Sequence, residues 1–190
     1  MIPKILQSDN FFLKHLTVKS ANKNYLSWLK DKDVNRYLEC RFFKYNLNDI
    51  RNYIKKFDKK NNSIFGIFDL KNKKHIGNIT LSISVHNVAY FGYLIGDKKY
   101  WGTNAATETI CLILDFAFEK IKVRKMWGSV YKSNIPAIFN IHRFGFQREG
   151  VLRSHMTDKN KPIDVLYYGL LKNEWYINKK KFKKIKRIIK

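Results

Sequence analysis

The residues best suited to chemistry lie in two glycine-containing segments in the middle of the chain. Residues 92–96 end a strand-like run with a glycine at each end, and residues 102–107 lead directly into an apolar helical pattern. Backbone amides in the first turn of a helix have no partner inside the helix, and the helix dipole draws anions towards them. Gly102 and Ala105 are small enough to let a ligand approach, and Asn104 tolerates the left-handed conformation that turns successive amides to one point. This order of strand, tight turn and helix predicts a phosphate or pyrophosphate site.

The elements that must hold this segment follow from hydrophobic periodicity. Apolar residues recur at helical spacing in residues 21–30, 47–57 and 105–121, and a further helix starts at Ser133 or Asn134 and ends at Gly145. Strand-like runs occupy residues 11–18, 63–70, 76–85, 88–95, 125–131, 147–155 and 165–171, and a polar turn falls at 158–161. We expect a mixed α/β fold with a mostly antiparallel central sheet of about seven strands and about four helices.

The size and composition of the chain predict one domain. A chain of 190 residues with 45% hydrophobic content can bury one ordinary core. It contains no apolar run of the roughly 20 residues that a membrane helix needs, and its N-terminus lacks the pattern of a signal peptide. Cys40 and Cys111 lie far apart without a histidine cluster, so we expect no disulfide framework and no metal. We expect a cytoplasmic protein with one domain over residues 1–175 and a Lys-rich tail over residues 176–190 that forms a frayed amphipathic helix.

The formal net charge of +23 has two interpretations. Lysine spread over an exposed surface gives a solvated basic protein with no particular partner. A basic surface also attracts anionic partners such as nucleic acid or phosphate-rich ligands. The charge alone does not decide between these interpretations.

Short motifs on either side of the predicted anion site occur in an informative order. They are Tyr100-Trp101-Gly102, Ala106-Thr107-Glu108, Asn134 with Ala137, Gly145-Phe146, residues 149–153, Asp164 and Glu174-Trp175. In this order the chain resembles, over roughly residues 11–175, the GNAT superfamily of acyl-CoA N-acyltransferases. The resemblance is to the branch that includes acetyltransferases of ribosomal-protein N-termini and of aminosugars. The family's cofactor motif matches only in part, because its Gln/Arg, Gly and Gly/Ala positions read Trp101, Asn104 and Ala106 here.

The resemblance implies a cofactor and the residues that bind it. It implies that the strands at residues 88–95 and 125–131 splay apart and that the pantetheine arm of acetyl-CoA lies between them like an added strand. The pyrophosphate would meet the amides of the following turn, and Asn134, which is also a helix-cap candidate, would contact the cofactor from the opposite wall. The implied acetyl-CoA contacts are Leu94, Ile95, Gly96, Gly102, Thr103, Asn104, Ala105, Ala106, Thr107, Asn134 and Arg143.

Residues for acid–base chemistry are less clear in the sequence. Transfer of an acyl group to an amine needs a neutral amine, a close thioester and stabilisation of the oxyanion. The family's glutamate, two residues before the strand glycine, corresponds to Tyr90 here, and its tyrosine on the last helix corresponds to Ile141. The remaining candidates for proton transfer are His86, Tyr90 and Glu108, and the resemblance places His155 and Asp164 at the acceptor pocket.

Three functions stay open at this level. The first is acetyl transfer to a small-molecule amine, such as a phosphorylated or nucleotide-linked aminosugar, because a basic pocket suits a phosphate. The second is acetylation of a protein N-terminus, such as that of a ribosomal protein. The third is a non-catalytic module with the CoA fold that binds RNA, an alternative that the missing glutamate and tyrosine leave open. The sequence leaves open whether the protein forms a homodimer.

Overall fold

The computed structural model describes residues 6–158 and 161–189. Within them, nine strands form one sheet in the order β7-β8-β6-β5-β4-β3-β2-β1-β9. The strands are β1 (Leu6–Gln7), β2 (Phe11–His15), β3 (Asn62–Asp69), β4 (His75–Ile83), β5 (Val88–Ile95), β6 (Lys125–Tyr131), β7 (Gln147–Asp158), β8 (Lys161–Leu171) and β9 (Ile188–Ile189). The helices are α1 (Lys23–Lys30), α2 (Leu47–Lys55), α3 (Ala105–Asp115), α4 (Ile135–Arg143) and α5 (Lys172–Asn178).

One strand pair differs from the rest of the described sheet. β5 and β6 pair in parallel, whereas every other described pair is antiparallel. Parallel neighbours need a crossover connection, and α3 supplies it between β5 and β6. The N-terminus of α3 therefore lies beside the C-terminal end of β5.

Helices cover the two faces of the sheet differently. α3 is buried on nearly all sides and packs in the main core with Ala89 and Phe91 of β5 and Met126 of β6. α4 contributes Ile141 to the same core. On the opposite face α1 and α2 form a second core, which comprises Leu16, Ala21, Tyr25, Trp28, Val34, Ile50, Ile54 and Ile64.

Asparagine side chains start three of the helices. Asn22 caps α1 by accepting from the amide of Tyr25 at 2.9 Å, and Asn46 caps α2 by accepting from Asn48 and Asp49. Asn134 caps α4 by accepting from the amide of Ala137 at 3.3 Å. Each cap satisfies a first-turn amide that has no partner inside the helix.

The predicted elements agree with the structure where the hydrophobic pattern is long. β5 and β6 have the predicted bounds, and the helix expected at residues 105–121 is α3 continued by a π-helical segment, Phe116–Ile121. The estimate of about seven strands was too low within the described residues, because β1 and β9 have two residues each and show no periodicity. The turn expected at residues 158–161 includes residues 159 and 160, which lie outside the described residues.

The segment after Trp175 was predicted as a frayed helix and folds differently. α5 is followed by a 3₁₀-helix, Lys179–Phe182, and then by β9, which pairs with β1. Phe182 is buried and stacks on Phe144 at a centroid distance of 5.0 Å. Apolar residues between the lysines therefore hold this segment on the core.

Among the described residues, no helix combines the length and the apolar character needed to cross a membrane.

Candidate functional site

The central feature of the sheet is a fork between β5 and β6. The two strands pair at Val88 with Lys125, Ala89 with Met126 and Tyr90 with Trp127. Beyond Tyr90 and Trp127 they part, although β5 continues to Ile95 and β6 to Tyr131. The C-terminal halves of the two strands therefore flank a cleft in the sheet.

The backbone of β5 presents hydrogen-bonding groups to this cleft. The amide of Gly96 donates to the carbonyl of Ile76 at 2.8 Å, and the amide of Ser84 donates to the carbonyl of Val88 at 2.9 Å. Since paired residues alternate in an antiparallel ladder, Val88, Tyr90, Gly92, Leu94 and Gly96 turn their backbone groups towards β4. Phe91, Tyr93 and Ile95 therefore turn theirs towards the cleft.

This alternation changes the expected set of contacts on β5. Of the three residues predicted from this strand, Ile95 faces the cleft, and its carbonyl already accepts from Nε1 of Trp101 at 2.8 Å. The backbone groups of Leu94 and Gly96 bond towards β4 instead. Tyr93 was not among the predicted residues, because the pairing of β5 with β4 decides which residues turn their backbone groups towards the cleft, and this pairing is a tertiary property.

The turn before α3 differs from the expectation in its left-handed residue. Asn104 has φ −75°, in the ordinary right-handed range, so the predicted left-handed conformation at this residue is wrong. Gly102 holds that conformation instead, with φ 73°. Glycine adopts a positive φ without steric cost, whereas asparagine adopts it at some cost. The left-handed conformation in this turn therefore falls on the glycine.

The first turn of α3 leaves amides available for an anion. The amide of Ala105 donates to Oγ1 of Thr103 at 3.2 Å, and the amide of Glu108 donates to the carbonyl of Asn104 at 2.8 Å. Within the described residues the amides of Ala106 and Thr107 have no acceptor. These two donors and the helix dipole can bind a phosphate.

α4 brings a cation and an amide to the same region. Nη1 of Arg143 donates to Oγ1 of Thr107 at 3.0 Å, which places the guanidinium at the first turn of α3. Nδ2 of Asn140 donates to the hydroxyl of Tyr93 at 3.2 Å, so Tyr93 spans from β5 to α4. Asn134 lies at the start of α4, where its side-chain oxygen serves as the helix cap. The structure thus brings together Arg143 and Thr107, which were both predicted as cofactor contacts. Asn140 was not predicted, because a single asparagine on a helix has no distinctive spacing.

The three predicted acid–base residues do not lie together. Tyr90 is at the base of the fork with its ring against Trp127, and burial raises the pKa of its hydroxyl. Glu108 is buried, and its two oxygens accept from the amide and the side chain of Asn10 at 3.0 and 2.8 Å. His86 is exposed in the turn between β4 and β5, where its carbonyl accepts from Arg124. Glu108 therefore fastens the start of β2 to α3.

The two predicted substrate residues lie at the end of the β7–β8 hairpin. The register of β7 and β8 shifts between Leu152 and Met156, and His155 is exposed in this irregular stretch. Asp164 lies opposite, where its carboxylate accepts from the amide of Ser154 at 3.0 Å and from Lys132 at 3.1 Å. These bonds hold the pKa of Asp164 below its usual value, the backbone bond contributing most.

A loop between α1 and α2 closes over the same end of the sheet. Glu39 accepts a hydrogen bond from the hydroxyl of Tyr131, and the hydroxyl of Tyr37 donates to the carbonyl of Ser133 at 2.9 Å. Nη2 of Arg41 donates to the carbonyl of Thr157 at 2.6 Å, which joins this loop to the β7–β8 hairpin. The cleft is therefore flanked by α3 and α4 on one face of the sheet and by this loop on the other.

A half-paired parallel strand pair next to an anion-attracting helix start defines a site for an elongated ligand with a phosphate-bearing end. The family model described as "Acetyltransferase (GNAT) domain" matches residues 10–147. The chain belongs to the GNAT family of acyl-CoA-dependent acetyltransferases.

Individual relatives agree with this family. The chain is similar to "Uncharacterized N-acetyltransferase p20" of Bacillus licheniformis, with 32% identity over 87 residues, which are 46% of this chain and 48% of that protein. The match thus spans about half the length of that relative. "Uncharacterized N-acetyltransferase YoaA" of Bacillus subtilis is 25% identical over 173 residues, which cover 88% of this chain and 97% of that protein.

Solved structures share the fold at lower identity. A GNAT-family acetyltransferase from Bacillus anthracis has a TM-score of 0.76 and 19% identity, covering 89% of this chain and 99% of that one. Spermidine N-acetyltransferase from Vibrio cholerae, solved in complex with CoA and spermine, has a TM-score of 0.76 and 20% identity, covering 87% of this chain and 98% of that one. At these identities the similarity establishes the fold.

Proposed function

We propose that the protein transfers the acetyl group of acetyl-CoA to the primary amine of an aminosugar that carries a phosphate or a nucleotide. The observation that carries the acetyl-CoA part is the fork between β5 and β6 next to the free amides of α3. The basic net charge of +23 supports a phosphorylated acceptor.

The proposed cofactor site uses both walls of the fork. Backbone groups of Phe91 and Tyr93 would bond the amides of the pantetheine arm, much as a neighbouring strand would. The pyrophosphate would lie at the amides of Ala106 and Thr107, where Arg143 supplies a positive charge 3.0 Å from Thr107. From the predicted set, Gly102, Thr103, Asn104 and Ala105 would shape this turn, and Asn134 would contact the cofactor from α4.

Two tyrosines at the fork have different proposed roles. Acetyl-CoA supplies the activated acyl group, and the departing thiolate needs a proton. Burial raises the pKa of Tyr93, so its hydroxyl stays protonated at neutral pH, and Asn140 holds it on the α4 side of the cleft. The family's tyrosine corresponds to Ile141 here, and an isoleucine has no proton to donate. We therefore assign protonation of the thiolate to Tyr93. Tyr90, whose pKa is also raised, would orient the acceptor and is a poor base.

The acceptor amine must lose a proton before it attacks. A free alkyl amine has a pKa near about 10.4 and is mostly protonated at neutral pH. His86 is exposed at the N-terminal end of β5, and Glu108 is bonded to Asn10, so neither side chain lies inside the fork. We propose that ordered water carries this proton to solvent, with His155 and Asp164 on the acceptor side of the site.

A protein N-terminus is the second candidate acceptor. Glu39, beside the C-terminal end of β6, offers a carboxylate that would attract a terminal ammonium group. A relative at 29% identity over 105 residues is named "Putative ribosomal N-acetyltransferase YdaF" of Bacillus subtilis. For either acceptor we place the protein in the cytoplasm, where the free thiols of Cys40 and Cys111 would stay reduced.

Calorimetric titration with acetyl-CoA, CoA and ATP tests the proposal. Saturable binding of acetyl-CoA and CoA that is tighter than binding of ATP supports the cofactor site. Equal affinity for all three would indicate a nonspecific attraction to a basic surface and would overturn it. Acceptors are then compared by following the release of free thiol.

A further inference from the structure

Three aromatic rings cross the sheet at the base of the fork. Tyr90 and Trp127 are the last paired residues of β5 and β6, and their rings are 4.8 Å apart. Tyr167 of β8 continues the row, stacked on Trp127 at 5.5 Å with an interplanar angle of 12°. The cleft opens directly beyond these rings, so a ligand on them lies next to the proposed path of the thioester.

The row lies on the face of the sheet that lacks α3 and α4. Ala89 and Phe91 on β5 and Met126 on β6 are buried in the main core, so Tyr90 and Trp127 point to the opposite face. On that face the core of α1 and α2 covers Leu16, which directly follows β2, together with β3 and the end of β5 at Leu94. All three rings are half-buried.

A cavity of about 300 Å³ adjoins this row. That volume is at the lower end of the range for small-molecule sites and suits one sugar ring. Its lining includes Val88, Arg124, Lys125, Trp127, Glu149 and Tyr167. An indole and a phenol side by side provide the flat apolar surface on which the C–H face of a sugar ring packs.

A bulge directs Glu149 into the cavity. The register of β7 shifts between Arg148 and Gly150, and the side chain of Glu149 lies over Gly169, the β8 partner of Trp127. A side chain at Gly169 would collide with the carboxylate of Glu149. Oε2 of Glu149 accepts from Lys125 at 2.6 Å, and Oε1 can accept from a hydroxyl or ammonium group of a ligand.

The charge of the cavity selects among amines. Arg124 and Lys125 outnumber the carboxylate of Glu149, so the cavity is net positive. Arg124 donates through Nε to the carbonyl of His86 at 3.0 Å, and within the described residues its two terminal nitrogens are unused. A guanidinium with two free nitrogens matches a phosphate, whereas a polyamine with several ammonium groups is repelled.

The positions of Arg124 and Trp127 agree with a sugar phosphate. Arg124 directly precedes β6, Trp127 is the third residue of that strand, and both residues line the cavity. A sugar ring over Trp127 can therefore direct its amine to the cleft and its phosphate to Arg124.

We propose that the Tyr90–Trp127–Tyr167 row and Arg124 form the acceptor site, and that it takes an aminosugar with a phosphate group. The inference rests on the proposed function and adds the residues that select the acceptor. Nitrogen of the acceptor forms the new bond to the acetyl carbon as the carbon–sulfur bond breaks. The sulfur takes the proton of Tyr93, ordered water carries the proton that the amine loses to solvent, and Tyr93 regains a proton from solvent.

The test compares three acceptors in four variants. Thiol release is measured with glucosamine 6-phosphate, glucosamine and spermidine, and acetyl-CoA binding is measured by calorimetry. In Trp127→Leu we expect KM for both sugars to rise about tenfold. In Arg124→Gln we expect KM to rise about tenfold for glucosamine 6-phosphate and to stay unchanged for glucosamine. Acetyl-CoA affinity stays at the wild-type value in both.

Two exposed positions outside the site give matched controls. Tyr176→Leu on α5 removes an aromatic ring and is the control for Trp127→Leu. Lys71→Gln between β3 and β4 removes a cation and is the control for Arg124→Gln. Both control variants should keep wild-type KM values. If Trp127→Leu fails to fold, Tyr167→Leu tests the same row. Quenching of wild-type tryptophan fluorescence by glucosamine 6-phosphate, absent in the Trp127 variant, gives a reading that needs no turnover.

The outcomes separate the acceptor site from the proposed function. If acetyl-CoA binds normally and the site variants have the same KM values as the controls, the proposed acceptor site is wrong and the proposed function still stands. A preference for spermidine over glucosamine 6-phosphate, or the absence of both turnover and quenching with glucosamine 6-phosphate, also overturns it. Failure of the wild-type protein to bind acetyl-CoA overturns the proposed function and this inference together.

Discussion

Nε of Arg187 lies 2.7 Å from Oδ2 of Asp115, and both side chains are largely buried. Asp115 is the last residue of α3, and Arg187 directly precedes β9, so the pair ties the end of the chain to the helix that begins at the proposed cofactor site. Nε1 of Trp175 donates to the other carboxylate oxygen at 2.8 Å, and Lys179 lies 3.6 Å from it. The C-terminal segment is thus fastened to α3 by one carboxylate.

Arg187→Gln should destabilise the fold. Burial raises the pKa of Asp115, and the loss of its guanidinium partner leaves a buried carboxylate less compensated. We expect the free energy of unfolding to fall by about 2 kcal/mol, below the full cost of breaking a buried pair because Trp175 and Lys179 remain. Urea unfolding measures this. Lys186→Gln, at the exposed neighbouring residue, is the control, and an equal loss in both variants would contradict a role for the ion pair.

A chain shortened to residues 1–175 tests whether the tail is a separate unit. The division into a domain of residues 1–175 and a tail of residues 176–190 stays a prediction from the sequence. Because Phe182 is buried against Phe144, we expect the shortened chain to lose about 3 kcal/mol of stability or more. Thermal unfolding of both chains measures this, and equal midpoints would show that the tail contributes nothing to the fold.

Gly102→Ala should weaken acetyl-CoA binding through the backbone. No atom lies within 4 Å of the added Cβ, so the cost comes from the positive φ of 73° alone, about 1 to 2 kcal/mol for an L-residue. A shifted turn misplaces the amides before α3, and we expect acetyl-CoA affinity to fall about tenfold. Gly150→Ala is the matched control, because its Cβ also meets open space and its φ is not in the left-handed range. Unchanged affinity in a folded Gly102 variant would contradict the assignment of this turn to the cofactor.

Arg143→Gln should lower acetyl-CoA affinity without a loss of stability. Arg143 is exposed and reaches Thr107 at the first turn of α3, so its charge acts on a bound anion more than on the fold. We expect a three- to tenfold rise in the Kd for acetyl-CoA, which corresponds to about 1 kcal/mol, and a weaker dependence of that Kd on salt. Calorimetry at two salt concentrations measures both effects. Arg148→Gln, at an exposed position of β7, should behave like the wild-type protein.

The sequence predicted the positions of the elements at the proposed cofactor site better than the orientation of their backbone groups. Long patterns set β5, β6 and α3 at the expected residues. Which amides face the fork depends on the pairing of β5 with β4, and this register is a tertiary property. It turns the backbone groups of Leu94 towards β4 and those of Tyr93 towards the fork. Likewise, Gly102 and Asn104 are both compatible with a left-handed turn, and local pattern alone does not choose between them.

The proposed acceptor side was harder to predict because its residues come from distant segments. Tyr90, Trp127 and Tyr167 belong to three strands. Tyr90 was predicted as a candidate for proton transfer, whereas Trp127 and Tyr167 read in the sequence as ordinary strand aromatics. Their row appears only when β5, β6 and β8 become neighbours. Glu149 reaches the row through a bulge, and a one-residue shift of this kind leaves no periodic signal.

The stability of the protein should fall in mild acid, and His75 should account for part of the loss. Its ring stacks on Phe68 at 4.9 Å and contacts Trp28 at 5.0 Å, while Nε2 bonds to the carbonyl of Gly77 and to Oδ1 of Asn78. Burial lowers the pKa of His75 below its ordinary value of 6.5, and the two acceptors oppose this shift only in part. The unfolded chain therefore takes up the proton first as the pH falls.

The sign of this effect gives a measurable slope. The free energy of unfolding should decrease as the pH falls below 6.5 and should level off below the pKa of the folded state. One histidine contributes at most about 1.4 kcal/mol per pH unit. His75→Gln should reduce the slope between pH 7 and pH 5 without abolishing it, because burial also lowers the pKa of His15. An unchanged slope in the His75 variant would assign the acid sensitivity to other groups.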